Sequence, residues 1–269
     1  MTRLDVEGLG FVYPDGTRAL DGVDLEIQPG ESVAIVGQNG SGKSTLVRHL
    51  NGLLRPTTGR VLHDGEDVVG IRAAALAARV GIVFQNPDRQ IFAGKVRAEV
   101  AFGPRILGHG DAEVEAATRD ALAAVGLADA AEANPYDLGY SRRKLLAIAS
   151  VLAMETPVVV LDEPTTGQDA RGIARVQQVL VNLLGDGRTV IAISHDMRFV
   201  AESFARVIVM GEGRVLLDGP PSEVFAESAW PVLASTYLEP THAARVGARL
   251  GLGSTPTEAS LVEALGARG

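Results

Sequence analysis

The stretch Gly37-Gln38-Asn39-Gly40-Ser41-Gly42-Lys43-Ser44-Thr45 constrains this chain more than any other. It follows an apolar run, Val33-Ala34-Ile35-Val36, and precedes a pattern in which Leu46, Leu50, Leu53 and Leu54 recur at helical spacing. The order strand, glycine loop, helix is therefore expected. Glycines let backbone N–H groups close around phosphate oxygens at a helix N-terminus, and that context turns G-x-x-x-x-G-K-[ST] from a string match into a phosphate site. In such a loop Lys43 reaches the β- and γ-phosphates and Ser44 ligates Mg²⁺. The chain has only three lysines, Lys43, Lys95 and Lys144, against many arginines, so a compact ammonium stands here against the chain's own habit.

A length of 269 residues suits one large domain or one domain with an appendage. Apolar residues at 46% supply a core, and with only 4% aromatics it must be built from Val, Leu, Ile and Ala. The net charge of −8 argues against a nucleic-acid partner, whose phosphates require a basic field. No cysteine is present, so disulfides and thiolate metal sites are excluded. Met1 to Val12 is charged and strand-like, without the basic-then-apolar order of a secretion signal. The longest apolar run, Leu145 to Met154, is too short to cross a bilayer, so a soluble chain is expected and any membrane role runs through a partner.

Leu4, Val6, Leu9 and Phe11-Val12-Tyr13 read as a strand, with a turn at Pro14-Asp15-Gly16 before a second strand from Ala19 to Ile27. Arg60-Val61-Leu62 and Asp64-Gly65 suggest a short hairpin, followed by the strand Val80 to Phe84. From Gln85 to Met154 the chain is Ala-rich and helical. Asp111 is the expected N-cap of a helix ending near Gly126, with Val114, Ala121, Leu122 and Val125 on one face, and Leu145 to Met154 is a second, buried helix. Strands return at Val158 to Leu161, Thr189 to Ile193 and Val207 to Met210, with a crossover helix from Gly172 to Leu184, the pattern of an α/β sheet covered on both faces. Pro220-Pro221 marks a boundary before a tail with two short helices. Thr255-Pro256-Thr257-Glu258 opens the second with an N-cap, a Pro at the first helical position and a capping-box Glu.

The run Val158-Val159-Val160-Leu161 ends in two adjacent carboxylates. Asp162 can hold Mg²⁺ through water, and Glu163 is placed to polarise an attacking water as general base. Together with the glycine loop this resembles the Walker A loop and Walker B strand of ATP-binding-cassette (ABC) ATPases. Smaller markers follow in the family's order. Tyr13 resembles the aromatic that stacks on adenine; Gln85 resembles the Q-loop glutamine that touches Mg²⁺ or the lytic water. Thr166-Gly167-Gln168-Asp169 resembles the D-loop, and His195 the switch histidine that bonds the γ-phosphate. Singly each has a plain alternative: a packed strand aromatic, a strand-end polar residue, a solvated loop histidine. Their shared order over roughly residues 3 to 225 carries the inference.

The resemblance implies an α/β P-loop NTPase (RecA-like) core with an N-terminal antiparallel β subdomain and an inserted α-helical subdomain at about 86–156. Residues 1–225 would form the ATPase domain and 226–269 a helical C-terminal extension. It also implies ATP and Mg²⁺ as ligands, with Gly37, Asn39, Gly40, Ser41, Gly42, Lys43, Ser44 and Thr45 around the phosphates. Asp169, Gly139 and Ser141 would face nucleotide across a dimer of cassettes. One marker departs: the family's Leu-Ser-Gly-Gly-Gln signature aligns with Leu138-Gly139-Tyr140-Ser141-Arg142, which puts a tyrosine where close backbone approach is needed. Arg142, Arg143 and Lys144 crowd the same helix start, where the macrodipole disfavours cations, so either a facing anion or a solvated basic turn is expected. The first reading implies a weaker composite site.

Asn86-Pro87-Asp88-Arg89-Gln90-Ile91-Phe92 and Val100-Ala101-Phe102-Gly103-Pro104 resemble the segment after the Q-loop in energy-coupling-factor and cobalt-type importers, and the tail helices resemble that group's extension. This likeness implies a peripheral ATPase on the cytoplasmic face of the cell membrane. It would work with a second ABC ATPase subunit, a transmembrane coupling protein and a substrate-capture membrane protein for a vitamin or a metal ion. Two other readings remain at this point: an ABC ATPase acting on nucleic acid or a protein assembly, and a catalytically weak regulatory cassette.

Overall fold

The computed structural model describes residues 2–268; Met1 and Gly269, the outer ends of the expected domain bounds, lie outside the described residues. Leu4–Val12 (β1) pairs antiparallel with Arg18–Ile27 (β2), Leu4 opposite Ile27. Ser32–Val36 (β3) then feeds the glycine loop and the helix Lys43–Leu50 (α1). That helix buries Leu46, Val47 and Leu50 but stops there: Gly52 takes φ +72°, and Leu53, expected on the helix, is 54% exposed beyond its end. Thr58–His63 (β4) and Glu66–Asp67 (β5) complete a four-stranded antiparallel sheet of order β2-β1-β4-β5.

After Ala73–Ala77 (α2) comes Val80–Val83 (β6), and then three helices form a layer: Val96–Ile106 (α3), Asp111–Ala124 (α4) and Tyr140–Leu152 (α5). The cap of α4 is Gly110, not Asp111, because Glu113 folds back to accept from the Gly110 N–H at 2.8 Å. The helix α5 starts five residues before the expected Leu145, which places the signature-like residues in its first turns. Val158–Asp162 (β7), Ala170–Gly185 (α6), Thr189–Ile193 (β8), Met197–Ser203 (α7), Arg206–Gly211 (β9) and Arg214–Gly219 (β10) follow. The second sheet has the order β10-β9-β3-β8-β7-β6, parallel except for β10 against β9.

Side chains on a strand alternate between faces, and here both faces are apolar. Val33, Ile35, Val158, Val160, Ile191 and Ile208 join the core shared with α1 and the antiparallel sheet. Their neighbours Ala34, Val36, Val159, Leu161, Val190 and Val207 join the core under the helices. At the lower end of β9, Arg206 joins the sheets. It forks onto both oxygens of Asp218 at 2.7 Å, reaches Glu31 at 3.0 Å and donates to the Glu26 carbonyl at 2.8 Å.

The tail comprises Pro221–Val224 (α8), Trp230–Ser235 (α9), His242–Arg249 (α10) and Glu258–Gly266 (α11). Beyond residue 226 there are thus three α-helices among the described residues rather than two. Val224, Phe225, Leu233 and Ala244 pack into the core under the helices, whereas α11 buries none of its residues. Its cap is Thr257, with Ser260 closing the capping box in place of the expected Glu258; Pro256 stays outside the helix.

Two buried histidines brace α1. One ring nitrogen of His49 bonds the Thr45 carbonyl at 2.8 Å and one of His63 the Leu50 carbonyl at 2.7 Å, while His49 Nε2 and His63 Nδ1 have no partner. Burial lowers the pKa of each below the ordinary 6.5. The unfolded chain therefore binds protons that the folded chain refuses, so their stabilising contribution is full above about pH 6.5 and falls as the solution is acidified through the lowered values. The slope cannot exceed about 1.4 kcal/mol per pH unit per histidine. Urea unfolding at about pH 7.5 and about pH 5.5 should show the lower midpoint in acid, with a shallower dependence in His63→Gln; equal slopes in both proteins would rule His63 out.

Candidate functional site

Parallel strands place the residues that follow them along one edge of the sheet, and ligands bind in the crevice outside those carboxyl ends. Gly37 follows β3, Gln85 follows β6, Asp162 and Glu163 end β7, and His195 follows β8. A cleft of about 250 Å³ at this edge is lined by Tyr13, Asn39, Gly40, Gly42, Lys43, Ser44, Thr45, Gln85, Asp162 and Glu163, with Thr17, Arg18 and Ala19 from the start of β2. The last three escaped the sequence reading, since nothing in a turn-to-strand junction announces a wall.

The loop conformation needs glycine at defined points. Gly37 has φ +148°, and a Cβ there would stand 2.2 Å from the Met210 carbonyl oxygen. Gly42 has φ +100°, and its Cβ would meet the Ala19 carbonyl at 2.5 Å. Lys43 Nζ donates to the Gly37 and Gln38 carbonyls at 2.7 and 2.8 Å and lies 3.5 Å from Ser41 Oγ, so its charge sits over the loop. Burial lowers the pKa of this ammonium, with Glu163 and Asp162 opposing. The Tyr13 hydroxyl bonds Thr45 Oγ1 at 3.0 Å and its ring meets Phe11 edge-on, which in turn meets His49. Tyr13 is thereby fixed at one rim of the cleft.

Across the cleft, Ser44 Oγ donates to Asp162 Oδ2 at 3.2 Å. Burial raises the Asp162 carboxyl above its ordinary pKa, against the Ser44 hydrogen bond and the charges of Lys144, Arg48 and Lys43. Glu163 adopts φ +53°, rare for a side-chain-bearing residue; its N–H bonds the Ile193 carbonyl at 2.9 Å, and its Oε2 lies 2.7 Å from His195 Nδ1. The strained turn throws the carboxylate sideways onto the histidine of the neighbouring strand.

The remaining predicted residues lie elsewhere in the chain's own fold. Asp169 caps α6, accepting from the Gly172 N–H at 2.8 Å. Gly139 is the cap position of α5, and Ser141 Oγ donates to Gln168 Oε1 at 2.7 Å while Gln168 Nε2 returns to the Ser141 carbonyl at 3.1 Å. The Tyr140 ring lies over Gly167, where a Cβ would come within 2.6 Å of it. The three cations at this helix start do not wait for an external anion. Arg142 pairs with Asp129 at 2.8 Å, Arg143 with Asp88 at 2.9 Å, and Lys144 is wholly buried. Lys144 Nζ donates to the carbonyls of Phe84 at 3.2 Å, Gln85 at 2.6 Å and Asp162 at 2.9 Å. Burial pulls its ammonium down to about 8, with Asp162 and Glu163 acting to raise it, so it is protonated at neutral pH. The signal for it was present: Lys144, Ile148 and Val151 share one helical face, and the other two are core residues.

The donor set fits a nucleotide triphosphate with magnesium. A Cβ on Gly37 or Gly42 would fill the cradle, Lys43 supplies the charge, and Asp162 is a buried carboxylate 3.2 Å from the Ser44 hydroxyl. Among the described residues no cluster of three or more acidic, His or Cys ligands exists. Ser44 Oγ and Asp162 Oδ2 are oxygen donors of the kind Mg²⁺ takes, one or two from protein with phosphates and water completing its shell.

Residues 20–166 match the family described as ABC transporter. The energy-coupling factor transporter ATP-binding protein EcfA of Methanosphaera stadtmanae is 42% identical over 228 residues, 84% of this chain and 82% of the relative. EcfA of Methanocaldococcus jannaschii is 43% identical over 229 residues with the same shares. Among solved structures, cbiO1 of Clostridium perfringens, part of the ABC transporter complex cbiONQ, is 38% identical with a TM-score of 0.76, covering 92% of this chain and 98% of that one. A dimeric ATP-binding cassette in a post-hydrolysis state with ADP and Pi is 27% identical with a TM-score of 0.75, covering 81% and 98%. With the phosphate loop, the paired carboxylates and His195 gathered at one sheet edge, the chain belongs to the ABC transporter family, as an ATP-hydrolysing cassette similar to the EcfA and cbiO1 ATP-binding proteins.

Proposed function

We propose that this chain powers an energy-coupling-factor type importer of a vitamin or a transition-metal ion, hydrolysing ATP on behalf of separate membrane proteins. The observation that carries the proposal is the convergence of Lys43, Ser44, Asp162 and Glu163 on one cleft, with His195 hydrogen-bonded to Glu163. Tyr13 offers its ring to the base, and Gly37 to Thr45 hold the phosphates. Ser44, Asp162 and Gln85 would hold Mg²⁺, which when bound neutralises charge on the phosphate oxygens. Glu163 takes a proton from the attacking water, and His195 steadies that carboxylate and reaches for the outermost phosphate. Asp169, Gly139 and Ser141 act at a face shared with a second cassette.

A membrane partner is supported by an apolar groove of about 270 Å³ between the sheet and the helical layer, lined by Leu53, Ile82, Phe84, Phe92, Phe102 and Met154. Phe92 and Phe102 meet edge-on with centroids 4.7 Å apart, yet are 59% and 45% exposed. Exposed aromatics of this kind mark an interaction surface. Among the described residues no helix is long and apolar enough to cross a membrane, so such a groove would receive a partner's segment. The chain would then sit at the cytoplasmic face of the cell membrane, with residues 226–269 as an extension of the ATPase domain.

Affinity purification of the tagged chain from detergent-solubilised membranes tests the reading. A membrane coupling protein should come with it in stoichiometric amount and be lost from the double variant Phe92→Asp, Phe102→Asp. Recovery of nucleic acid, or of the membrane protein at full yield with the double variant, would count against the proposal.

A further inference from the structure

Beneath the cleft lies a link that the hydrolytic roles above leave unused. The ladder between β6 and β7 stops at Val83 opposite Leu161, and just past it three backbone carbonyls, those of Phe84, Gln85 and Asp162, turn toward the same buried point. All three protons of one ammonium meet them there. A buried charge is far costlier to desolvate than a methyl-terminated chain of similar length. This one is matched with backbone carbonyls and with no carboxylate oxygen, so its position serves the main chain.

We infer that Lys144 is a positioning residue for hydrolysis: from the first turns of α5 it fixes the main chain from which Gln85 and the Asp162–Glu163 pair are aimed into the cleft. The inference rests on the hydrolytic roles proposed for those three residues. Gln85 itself is exposed, so its side chain has no packing to orient it and depends on its backbone. Two more contacts hang the segment after β6 on α5. Gln90 accepts from the Phe84 N–H at 3.1 Å and donates to the Ala147 carbonyl at 3.0 Å; Arg143 pairs with Asp88. Of these three side chains only Lys144 also reaches β7. The opposite side of the helix start holds Gly167 and Gln168 through Tyr140 and Ser141. Lys144 is thus the one of the three that couples a shift of α5 to the Gln85 and Asp162 main chains together.

The test compares Lys144→Met and Lys144→Gln with the parent protein in ATP turnover, ATP affinity and amide hydrogen exchange over residues 84–90. Misplacing a reacting group by about 1 Å costs on the order of 100-fold in rate, so kcat should fall about 10- to 100-fold in the Met variant and less in the Gln variant, which keeps two N–H donors. ATP affinity should stay within about twofold, because the phosphate loop is untouched. Exchange over 84–90 should quicken, and combining Lys144→Met with Gln85→Ala should cost less than the product of the two separate losses, as expected of residues acting through one another. An unchanged kcat, a multiplicative double variant, or affinity falling in step with kcat overturns the inference, as does failure of both variants to fold, which would make Lys144 structural only. Glu163→Gln separates the two layers: turnover at the parental rate in that variant removes the hydrolytic reading itself, whatever Lys144 does.

Discussion

Glu163→Gln should lower the turnover of ATP about 10²- to 10⁴-fold while leaving ATP binding near the parental level, the range expected when one positioned general base is removed. The amide is nearly isosteric with the carboxylate, and Glu163 is only 8% exposed, so the substitution preserves packing. Its backbone strain and its bond to the Ile193 carbonyl are unaffected because they belong to the main chain. What is lost is an oxygen able to take a proton while hydrogen-bonded to His195. Phosphate release under saturating ATP and Mg²⁺, together with nucleotide titration of the variant, measures both halves. Parental turnover would show that the base lies elsewhere.

Gly37→Ala is expected to be nearly as damaging by a different route. The new Cβ would lie 2.2 Å from the Met210 carbonyl oxygen and 2.8 Å from Ser41 Oγ, and the φ of +148° is itself closed to alanine. Backbone strain of about 1–3 kcal/mol and overpacking of about 1–3 kcal/mol together lower the melting temperature by on the order of 10 °C. Because β9 is wedged away from the loop, nucleotide binding should weaken as well. Gly40→Ala supplies the contrast: its φ is +83° but no atom lies within 4 Å of its Cβ, so only strain of about 1–2 kcal/mol applies. Calorimetric melting of the two variants should separate them; equal losses would mean that contact with Met210 is immaterial.

Much of this was legible in the sequence because parallel strands are written as short β-branched runs and because their ends coincide with the chemistry. Lys43, Ser44, Asp162, Glu163 and Gln85 line one cleft for that reason alone. The helix α3 was covered only by the general reading of 85–154 as helical, and it runs through Gly103-Pro104. Gly103 packs there against the residues just past α5, where a Cβ would sit 2.5 Å from Met154 Cγ. The basic cluster at 142–144 misled in the other direction. A linear sequence presents three equal cations, whereas the fold pairs two with Asp129 and Asp88 and buries the third against main-chain carbonyls. Asp169, Gly139 and Ser141 were expected to meet nucleotide across a dimer, and within one chain they cap or brace their own helices.

Arg206 ties a strand of one sheet to a strand of the other. It joins the two sheets at the strand ends opposite the phosphate loop, with four oxygen acceptors on one guanidinium. Sliding of one sheet past the other at that border would break these bonds, so replacing this single side chain would loosen both sheets at once.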